Sequence, residues 1–353
     1  MVQSISNLAI GSKLKFGTYI VEDSSTEPII WQILAKNHQG YPSNSVTLLT
    51  DRLIDLRGFD AKEPSNSNSD RQNYGNNRYK YSNIRQWLNK SGYPWYESQH
   101  SADAPPTDSG MSQPTGYDDE PGFLSNFTED ELGAILDTTL IVALNTVTDG
   151  GGSETVIDKV FLLSETEVGL GNENGIIEGS PFSIFTDDAS RVSYLTQQAF
   201  SNTKSNSKPS TVNDAWYWWL RTPRAGDASS VRHVFSVGSL YYVNAYAGNY
   251  GVRPALNLKS DILVSDVPDS DGAYTIIWAT PHVITLDKPI TINAGEQLIK
   301  LHLEAKQAGA QLQLKEIDGE KYIYTGDDLD TNAADIEVDG EDTILDKIAY
   351  TID

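Results

Sequence analysis

Cysteine is absent from the 353 residues of the chain. Its absence excludes disulfide bonds, metal sites built on thiolates and a cysteine nucleophile. The folded state must therefore be stabilised by packing, without covalent cross-links.

Long apolar runs are also absent. No segment approaches the roughly 18 consecutive apolar residues that a membrane-spanning helix needs. Residues 1–17 lack the basic-then-apolar pattern of a secretion signal. We therefore expect no membrane insertion and a chain that stays in the cytoplasm where it is made, unless a carrier such as a virus particle released by lysis takes it out.

Basic residues are few, since 26 lysines and arginines stand against 49 acids and give a net charge of −23. Binding to nucleic-acid phosphates needs clustered lysine and arginine, so nucleic acid is a poor candidate partner. The simplest interpretation of the charge is solubility. Weak binding of calcium by the loop acids of residues 118–120 or 187–188 stays open, because hard cations prefer several oxygen ligands.

Recognisable catalytic and metal-binding motifs are missing too. The five histidines are scattered and lack the close helical pairing of a zinc hydrolase. The three glycines at 150–152 lack the lysine that follows in a phosphate-binding loop. The sequence therefore predicts no catalytic residue, no metal site and no cofactor.

The sequence contains several patterns typical of β-strands. Residues 14–21, 29–34 and 46–50 are β-branched or apolar runs separated by turn-forming residues, which predicts an N-terminal antiparallel region. Two helices are predicted at 82–89 and 128–136, the second with a capping box. Together these elements predict an α+β fold.

The remaining segments of this region are assigned by composition. Polar, turn-rich stretches at 60–80 and 100–122 predict extended surface loops. Residues 156–164 predict one buried strand, followed by a helical turn at 165–169 and a short helix within 189–200.

An acidic, turn-rich linker at 265–272 marks a predicted domain boundary. The two predicted domains are 1–265 and 266–353. The second contains short alternating runs typical of a small all-β sandwich of the immunoglobulin-like kind. These runs are residues 284–286, 290–292, 298–303, 311–317, 322–324, 336–338 and 348–352.

Residues 216–223 form the most aromatic run and predict a central strand covered on both faces. An arginine beside buried aromatics stacks on a ring or pairs with a carboxylate, and a structural ion pair is the favoured interpretation of both arginines in this region. The predicted structural core is Trp87, Trp218, Trp219, Arg221 and Arg253.

Tyrosine and asparagine are concentrated near one connection between residues 231 and 258. These residue types dominate adaptable binding surfaces, since they offer contact area and hydrogen bonds at low entropic cost. A tyrosine-rich strand pair packed internally is the open alternative. The predicted ligand-contact set is Tyr241, Tyr242, Asn244, Tyr246, Asn249 and Tyr250.

Four segments carry a family resemblance, namely residues 81–89, 158–164, 218–223 and 251–258. In this order they resemble an uncharacterised domain family of Firmicutes and their phages, which is similar to C-type-lectin-like and formylglycine-generating (sulfatase-modifying-factor-like) folds. The resemblance implies a C-type-lectin-like first domain with a display region at 239–250. The oxidation chemistry of the formylglycine-generating enzymes needs cysteine, so it is excluded here.

The resulting functional hypothesis is a non-enzymatic phage virion protein, on the tail, baseplate or capsid exterior. Its lectin-like domain would bind a host-surface glycan or protein, while the small domain contacts other virion proteins or further copies of the chain. A purely structural decoration protein, a glycan-active enzyme using the carboxylates of 118–120, and a bacterial surface adhesin remain alternatives.

Overall fold

The computed structural model describes residues 2–20 and 26–278, together with four strands between residues 290 and 339. The chain divides into two compact units. The larger unit comprises Ser4–Ile262 and Pro268–Thr275, and the smaller comprises Met1–Gln3, Leu263–Val267 and Ile276–Asp353.

Strands make up most of the regular structure. In chain order they are β1 (Val2–Ser4), β2 (Lys13–Ile20), β3 (Thr26–Lys36), β4 (Ser45–Thr50), β5 (Asp55–Leu56), β6 (Ile135–Leu136), β7 (Thr138–Ala143), β8 (Ser153–Asp158), β9 (Val160–Leu162), β10 (Ser193–Tyr194), β11 (Ala215–Trp216), β12 (Trp218–Pro223), β13 (Ser230–Val234), β14 (Leu240–Asn244), β15 (Gly251–Val252), β16 (Pro254–Lys259), β17 (Leu263–Ser265), β18 (Ala273–Thr275), β19 (Ile290–Asn293), β20 (Leu312–Ile317), β21 (Glu320–Thr325) and β22 (Ile336–Asp339).

The helices are few and short. The α-helices are α1 (Ser69–Tyr74), α2 (Asn83–Leu88), α3 (Glu129–Ala134), α4 (Asp188–Arg191) and α5 (Gln197–Asn202). Single 3-10 turns lie at Ile5–Asn7, Tyr79–Tyr81, Asp108–Gly110, Phe123–Asn126 and Glu173–Gly175. None of the described helices has the length and apolarity needed to cross a membrane. The expected mixture of many strands and few helices is confirmed.

The main sheet of the larger unit has seven strands, in the order β18-β2-β3-β4-β16-β6, with β9 also paired to β16. In β3 the alternation of the sequence places Ile29, Trp31 and Ile33 in the core. The indole of Trp31 donates to the carbonyl of Phe16, 2.7 Å away, so its one polar atom is satisfied. The predicted N-terminal antiparallel region is confirmed.

A second sheet of five strands has the order β14-β13-β12-β15-β5. Every residue of β12 is buried and this strand lies in the middle of the sheet, which confirms the predicted central strand over 218–223. Trp216, predicted in the same strand, lies instead in β11, which pairs with β10. The strand β14 lies at one edge. Its neighbour β13 pairs with both β12 and β14 in antiparallel register.

Helix α2 begins where the sequence predicts. The Ser82 hydroxyl accepts a hydrogen bond from the Arg85 amide, and Ile84, Trp87 and Leu88 are buried on one side. Helix α3 has the predicted capping box between Thr128 and Glu131. It ends at Ala134, two residues early, because Ile135 and Leu136 pair with β16 instead.

Two predicted elements are each divided in the structure. Residues 156–164 form parts of β8 and β9, which lie in different sheets. The break falls where the side-chain oxygen of Asn89 accepts hydrogen bonds from the amides of Lys159 and Val160. The predicted helix within 189–200 is replaced by α4 and α5, separated by β10.

The prediction of surface loops at 60–80 and 100–122 is wrong in part. Asp60, Asn76 and Asn77 are buried, as is Tyr117 in the second segment. The Asp60 carboxylate accepts from the backbone amides of Asn76 and Asn83, so side chains take the place of a backbone ladder. At these buried positions the polar side chains therefore belong to a hydrogen-bonded interior, while residues such as Ser65 and Asp70 are exposed as predicted.

In the smaller unit, β20 and β21 form an antiparallel hairpin, and β19 pairs with β22 in parallel. These strands coincide with four of the predicted runs. The predicted runs at 284–286, 298–303 and 348–352 lie outside the described residues. The sandwich and the boundary at 265–266 stay predictions. The strand β18, just after the predicted linker, belongs to the larger unit and pairs there with β2.

Candidate ligand-binding surface

The register of the second sheet brings aromatic residues together on one face. Trp219 in β12 lies opposite His233 in β13, and His233 lies opposite Tyr241 in β14. Because side chains on adjacent strands at paired positions share a face, the three rings form a row across the sheet.

Five aromatic rings surround the imidazole of His233, and we call them the aromatic cluster. Their centroids lie between 4.7 Å and 6.4 Å from that of His233. The cluster consists of Tyr217, Trp219, Phe235, Tyr241 and Tyr250.

The aromatic cluster passes from the interior to the surface. Trp219 is fully buried and Tyr217 and Tyr250 are half-buried. Phe235 and Tyr241 are 37% and 58% exposed. The cluster therefore offers solvent a contiguous aromatic face resting on a buried base, which is typical of an interaction site rather than of scattered surface apolar residues.

Hydrogen bonds fix the rings at the base of the cluster. The Trp219 indole donates to the carbonyl of Arg57 at 2.8 Å, and the Trp216 indole donates to the carbonyl of Asn249 at 2.8 Å. The side-chain amide of Asn249 donates to the Tyr217 hydroxyl at 3.1 Å. These bonds hold the segment before β15 against the sheet.

His233 is 1% exposed, and neither ring nitrogen has a hydrogen-bond partner among the described residues. Burial, assisted by the charge of Arg232, lowers its pKa to about 3. Burial also raises the pKa values of the Tyr217 and Tyr250 phenols. The imidazole and both phenols are therefore neutral near pH 7, which suits stacking on an apolar or weakly polar ligand surface.

The structure separates the six predicted contact residues into two groups. Tyr241, Asn249 and Tyr250 belong to the aromatic cluster or its support. Tyr242 is exposed on the opposite face, with the Arg224 guanidinium 3.8 Å from its ring centre.

Asn244 and Tyr246 are half-buried and lie apart from the aromatic cluster. Asn244 accepts a hydrogen bond from the Ser230 hydroxyl at 3.2 Å. The Tyr246 ring packs against Tyr74, with centroids 5.6 Å apart, and Lys62 lies 5.3 Å from its centre. The six predicted contact residues are therefore neither all packed internally nor all exposed on one binding surface.

Tyr217, His233 and Phe235 are not in the predicted ligand-contact set. His233 in β13 and Phe235, the residue just after this strand, are two residues apart, and that alternation predicts that they share a side. The missing information was the register that sets His233 beside Trp219 and Tyr241.

All five residues predicted as structural core are buried, namely Trp87, Trp218, Trp219, Arg221 and Arg253. Arg221 pairs with the buried carboxylate of Glu167 at 2.6 Å, as expected for a structural ion pair. Arg253 differs, because it donates to the Thr50 carbonyl at 3.1 Å and lies over the Trp218 ring. Burial lowers the Arg253 pKa to about 10.

Three of the five loop acids considered for calcium or glycan chemistry, Glu120, Asp187 and Asp188, have structural partners. Asp187 caps α4, and Asp188 pairs with Arg191 at 2.5 Å. Glu120 pairs with Arg57 at 2.5 Å. Partial burial raises the Asp118 pKa.

One group of possible metal ligands appears among the described residues. Glu63, His100 and Asp103 each place one donor atom within 4.8 Å of the others. The His100 Nε2 lies 2.9 Å from a Glu63 oxygen, and its Nδ1 accepts from the Ala102 amide. Because Nδ1 accepts a hydrogen bond, the neutral imidazole carries its proton on Nε2, so a metal at Nε2 would require the other tautomer. These three residues do not follow the spacing of a known metal-binding motif, so the sequence did not predict the group.

Comparison with known proteins gives one match. No curated protein and no solved structure matches the chain. The model of one family, described as a domain of unknown function, matches residues 44–260, which is more than half of the chain. The protein therefore belongs to the DUF6273 family.

Proposed function

We propose that the protein is a non-enzymatic binding protein of a bacteriophage particle, on the tail, baseplate or capsid exterior. Its larger unit would have a C-type-lectin-like fold and present the aromatic cluster to a glycan or protein of the host surface. The observation that carries the proposal is the exposure of Phe235 and Tyr241 above a buried aromatic base.

The chemistry of the aromatic cluster suits this role. Tyrosine and phenylalanine rings stack on the apolar faces of sugars or on apolar protein side chains, and the phenol hydroxyl adds a hydrogen bond. Rings with two rotatable bonds lose little entropy when a ligand orders them. The hydrogen bonds of Trp216, Trp219 and Asn249 support a surface that is formed before the ligand arrives.

The placement on a virion rests on the sequence resemblance to the phage domain family. In this proposal the smaller unit contacts other virion proteins or further copies of the chain. The nearest rival is a purely structural decoration protein. The glycan-active alternative is weakened because Glu120, Asp187 and Asp188 are already engaged in ion pairs or helix capping.

Binding of the purified full chain to a glycan array and to host cells tests the proposal. We expect saturable binding to a restricted set of glycans or to a host-surface protein, and detection of the chain in purified particles by mass spectrometry. A chain that binds neither and is present in particles would indicate a decoration protein. A chain that is absent from particles and remains a cytosolic monomer would contradict the virion placement.

A further inference from the structure

The strand β14 is an open edge of the five-stranded sheet. It pairs with β13 on one side, and no strand of the described ranges pairs with its other side. Its sequence, Leu-Tyr-Tyr-Val-Asn, contains neither a charged residue nor a proline, which are the usual blocks on an exposed edge. Tyr241 and Tyr242 are 58% and 41% exposed. The edge is therefore accessible to a further strand.

The pairing with β13 determines which backbone groups of β14 are free. The amide of Phe235 donates to the carbonyl of Ser239, and the amide of Ala245 donates to the carbonyl of Ser229. Residues of an antiparallel ladder alternate between hydrogen-bonded and non-hydrogen-bonded pairs, so the odd-numbered residues of β14 bond to β13 and the even-numbered ones face away. No other backbone group of the described residues bonds to the amide or carbonyl of Tyr242. Both groups are therefore directed at the open edge.

The two faces of β14 differ in the partners of their aromatic rings. On one face, Phe235 and Tyr241 expose their rings, and no described lysine or arginine lies over any ring of the aromatic cluster. On the other face, Arg224 and Arg232 lie 3.8 Å and 5.6 Å from the ring centre of Tyr242. Because the face of an aromatic ring attracts a cation, the cluster side can accept cationic side chains from a partner.

The charge of the chain restricts the partner further. A net charge of −23 repels a second copy of the chain and attracts a positively charged protein. The absence of charge in β14 itself leaves no local carboxylate or cation to oppose the added strand. A basic extended segment therefore fits the edge better than a second copy does.

We propose that β14 binds an extended, positively charged segment of a partner protein as an added antiparallel strand. The amides and carbonyls of the segment would pair with those of Leu240 and Tyr242. Alternate side chains, lysine or arginine, would lie over the exposed rings of Phe235 and Tyr241. This inference rests on the proposed binding role of the aromatic cluster and names its partner as a protein, since a glycan has no backbone ladder to pair with the edge.

Binding of labelled, capped peptides to the full chain, followed by fluorescence anisotropy, tests the inference. The probes alternate lysine with valine or with threonine over about six residues, the usual length of a strand. We expect at least one lysine peptide to bind saturably. Its counterpart with glutamate in place of lysine should bind at least about tenfold more weakly, and added salt should reduce that difference.

N-methylation of the bound peptide tests the strand pairing without changing the protein. Paired residues share a face, so lysines above the cluster stand opposite Tyr241, and the residues between them bond to Tyr242. N-methylation of these intervening residues should weaken binding roughly tenfold or more, because it removes the donors of the ladder. N-methylation of the lysines, whose amides point away from the edge, should leave binding unchanged.

A matched pair of proline variants tests the edge from the side of the protein. Tyr242→Pro removes the free amide and should weaken peptide binding at least about fivefold. Thr155→Pro is the control, because Thr155 is exposed in β8 and its amide likewise faces away from the paired strand, as the bond from the Leu144 amide to the Gly152 carbonyl shows. This variant should bind like the wild type. Should Tyr242→Pro lower the melting temperature, the N-methylated peptides decide.

Three outcomes would overturn this inference. The first is that no lysine peptide binds; continued binding of the chain to host cells or glycans would then leave the proposed function standing, and loss of both would remove it too. The second is equal binding of the two N-methylated peptides with loss in Tyr241→Ala, which would assign the peptide to the rings alone. The third is a dimer of the unliganded chain, detected by sedimentation and disrupted by Tyr242→Pro, which would assign the edge to a second copy.

Discussion

Burial controls the protonation of Glu165. Its side chain is 5% exposed, and Arg232 Nε lies 3.8 Å from one of its oxygens. Burial raises the Glu165 pKa to about 7, with Glu173 and Glu178 adding to the rise and Arg232 opposing it. The folded state therefore holds a proton that the unfolded chain releases near the ordinary glutamate pKa of 4.5.

This difference predicts the sign of a pH effect. Because the folded state binds the proton more tightly, the contribution of Glu165 to stability is largest below pH 4.5 and declines up to about pH 7. Glu165→Gln should remove that decline, so its unfolding free energy should exceed that of the wild type increasingly from pH 5 to pH 8. Urea unfolding at several pH values measures the difference.

The exposed Glu27 provides the control, and Glu27→Gln should shift the unfolding free energy little across the same range. A difference between wild type and Glu165→Gln that stays constant with pH would contradict the account of Glu165.

The ion pair of Arg221 gives a second prediction at the residue scale. Arg221 and Glu167 are both fully buried, and the Tyr41 hydroxyl donates to Glu167 at 2.6 Å. Arg221→Met leaves a buried carboxylate without its cation, which should cost about 3–5 kcal/mol of unfolding free energy. Arg224→Met, at a position 37% exposed, should cost less than about 1 kcal/mol. Equal losses in the two variants would argue against a structural role of the buried pair.

The buried tryptophans and arginines could be predicted from the sequence. A continuous aromatic run is stable mainly where both faces of its strand are covered, and an arginine beside it stacks on a ring or pairs with a carboxylate. Asp60, Asn76 and Asn77 could not, since polar residues in an asparagine-rich stretch usually indicate solvated loops. Their burial depends on backbone partners far along the chain, such as the carbonyl of Ser230, which accepts from Asn77. The composition of the segment alone therefore cannot predict that these side chains are buried.

At the scale of elements, capping fixes where α3 begins. The Thr128 hydroxyl accepts from the Glu131 amide, and the Glu131 carboxylate accepts from the Thr128 amide at 2.8 Å. Thr128→Ala removes the first bond and should lower the unfolding free energy by about 1 kcal/mol. Thermal unfolding beside Ser65→Ala, an exposed hydroxyl outside regular structure, measures the effect. A loss no greater than that of Ser65→Ala would show that the cap contributes nothing.

The starts of α2 and α3 were predictable, but α1, within the predicted loop 60–80, and several ends and breaks were not. The capping signals at Ser82 and Thr128 are local and therefore visible in the sequence. The division between β8 and β9 depends on Asn89, about 70 residues earlier in the chain. Likewise, alternation along β14 already places Tyr241 and Tyr242 on opposite faces, but only the strand register shows that Tyr241 is the one beside His233.

At the scale of the whole molecule, the family match and the aromatic cluster coincide. Residues 44–260 fall within the larger unit, and every residue of the cluster lies in that range. The strands of the smaller unit from β19 onward lie beyond the match. The matched family domain and the aromatic cluster therefore belong to the same unit.

The most direct test of the aromatic cluster compares Tyr241→Ala with Tyr93→Ala in binding to host cells or to an array-selected glycan. Tyr93 is 64% exposed and lies outside the cluster, so it matches Tyr241 in residue type and exposure. We predict that Tyr241→Ala weakens binding by roughly tenfold or more while Tyr93→Ala binds like the wild type, with the melting temperatures of both preserved. Undiminished binding by a folded Tyr241→Ala chain would contradict the account.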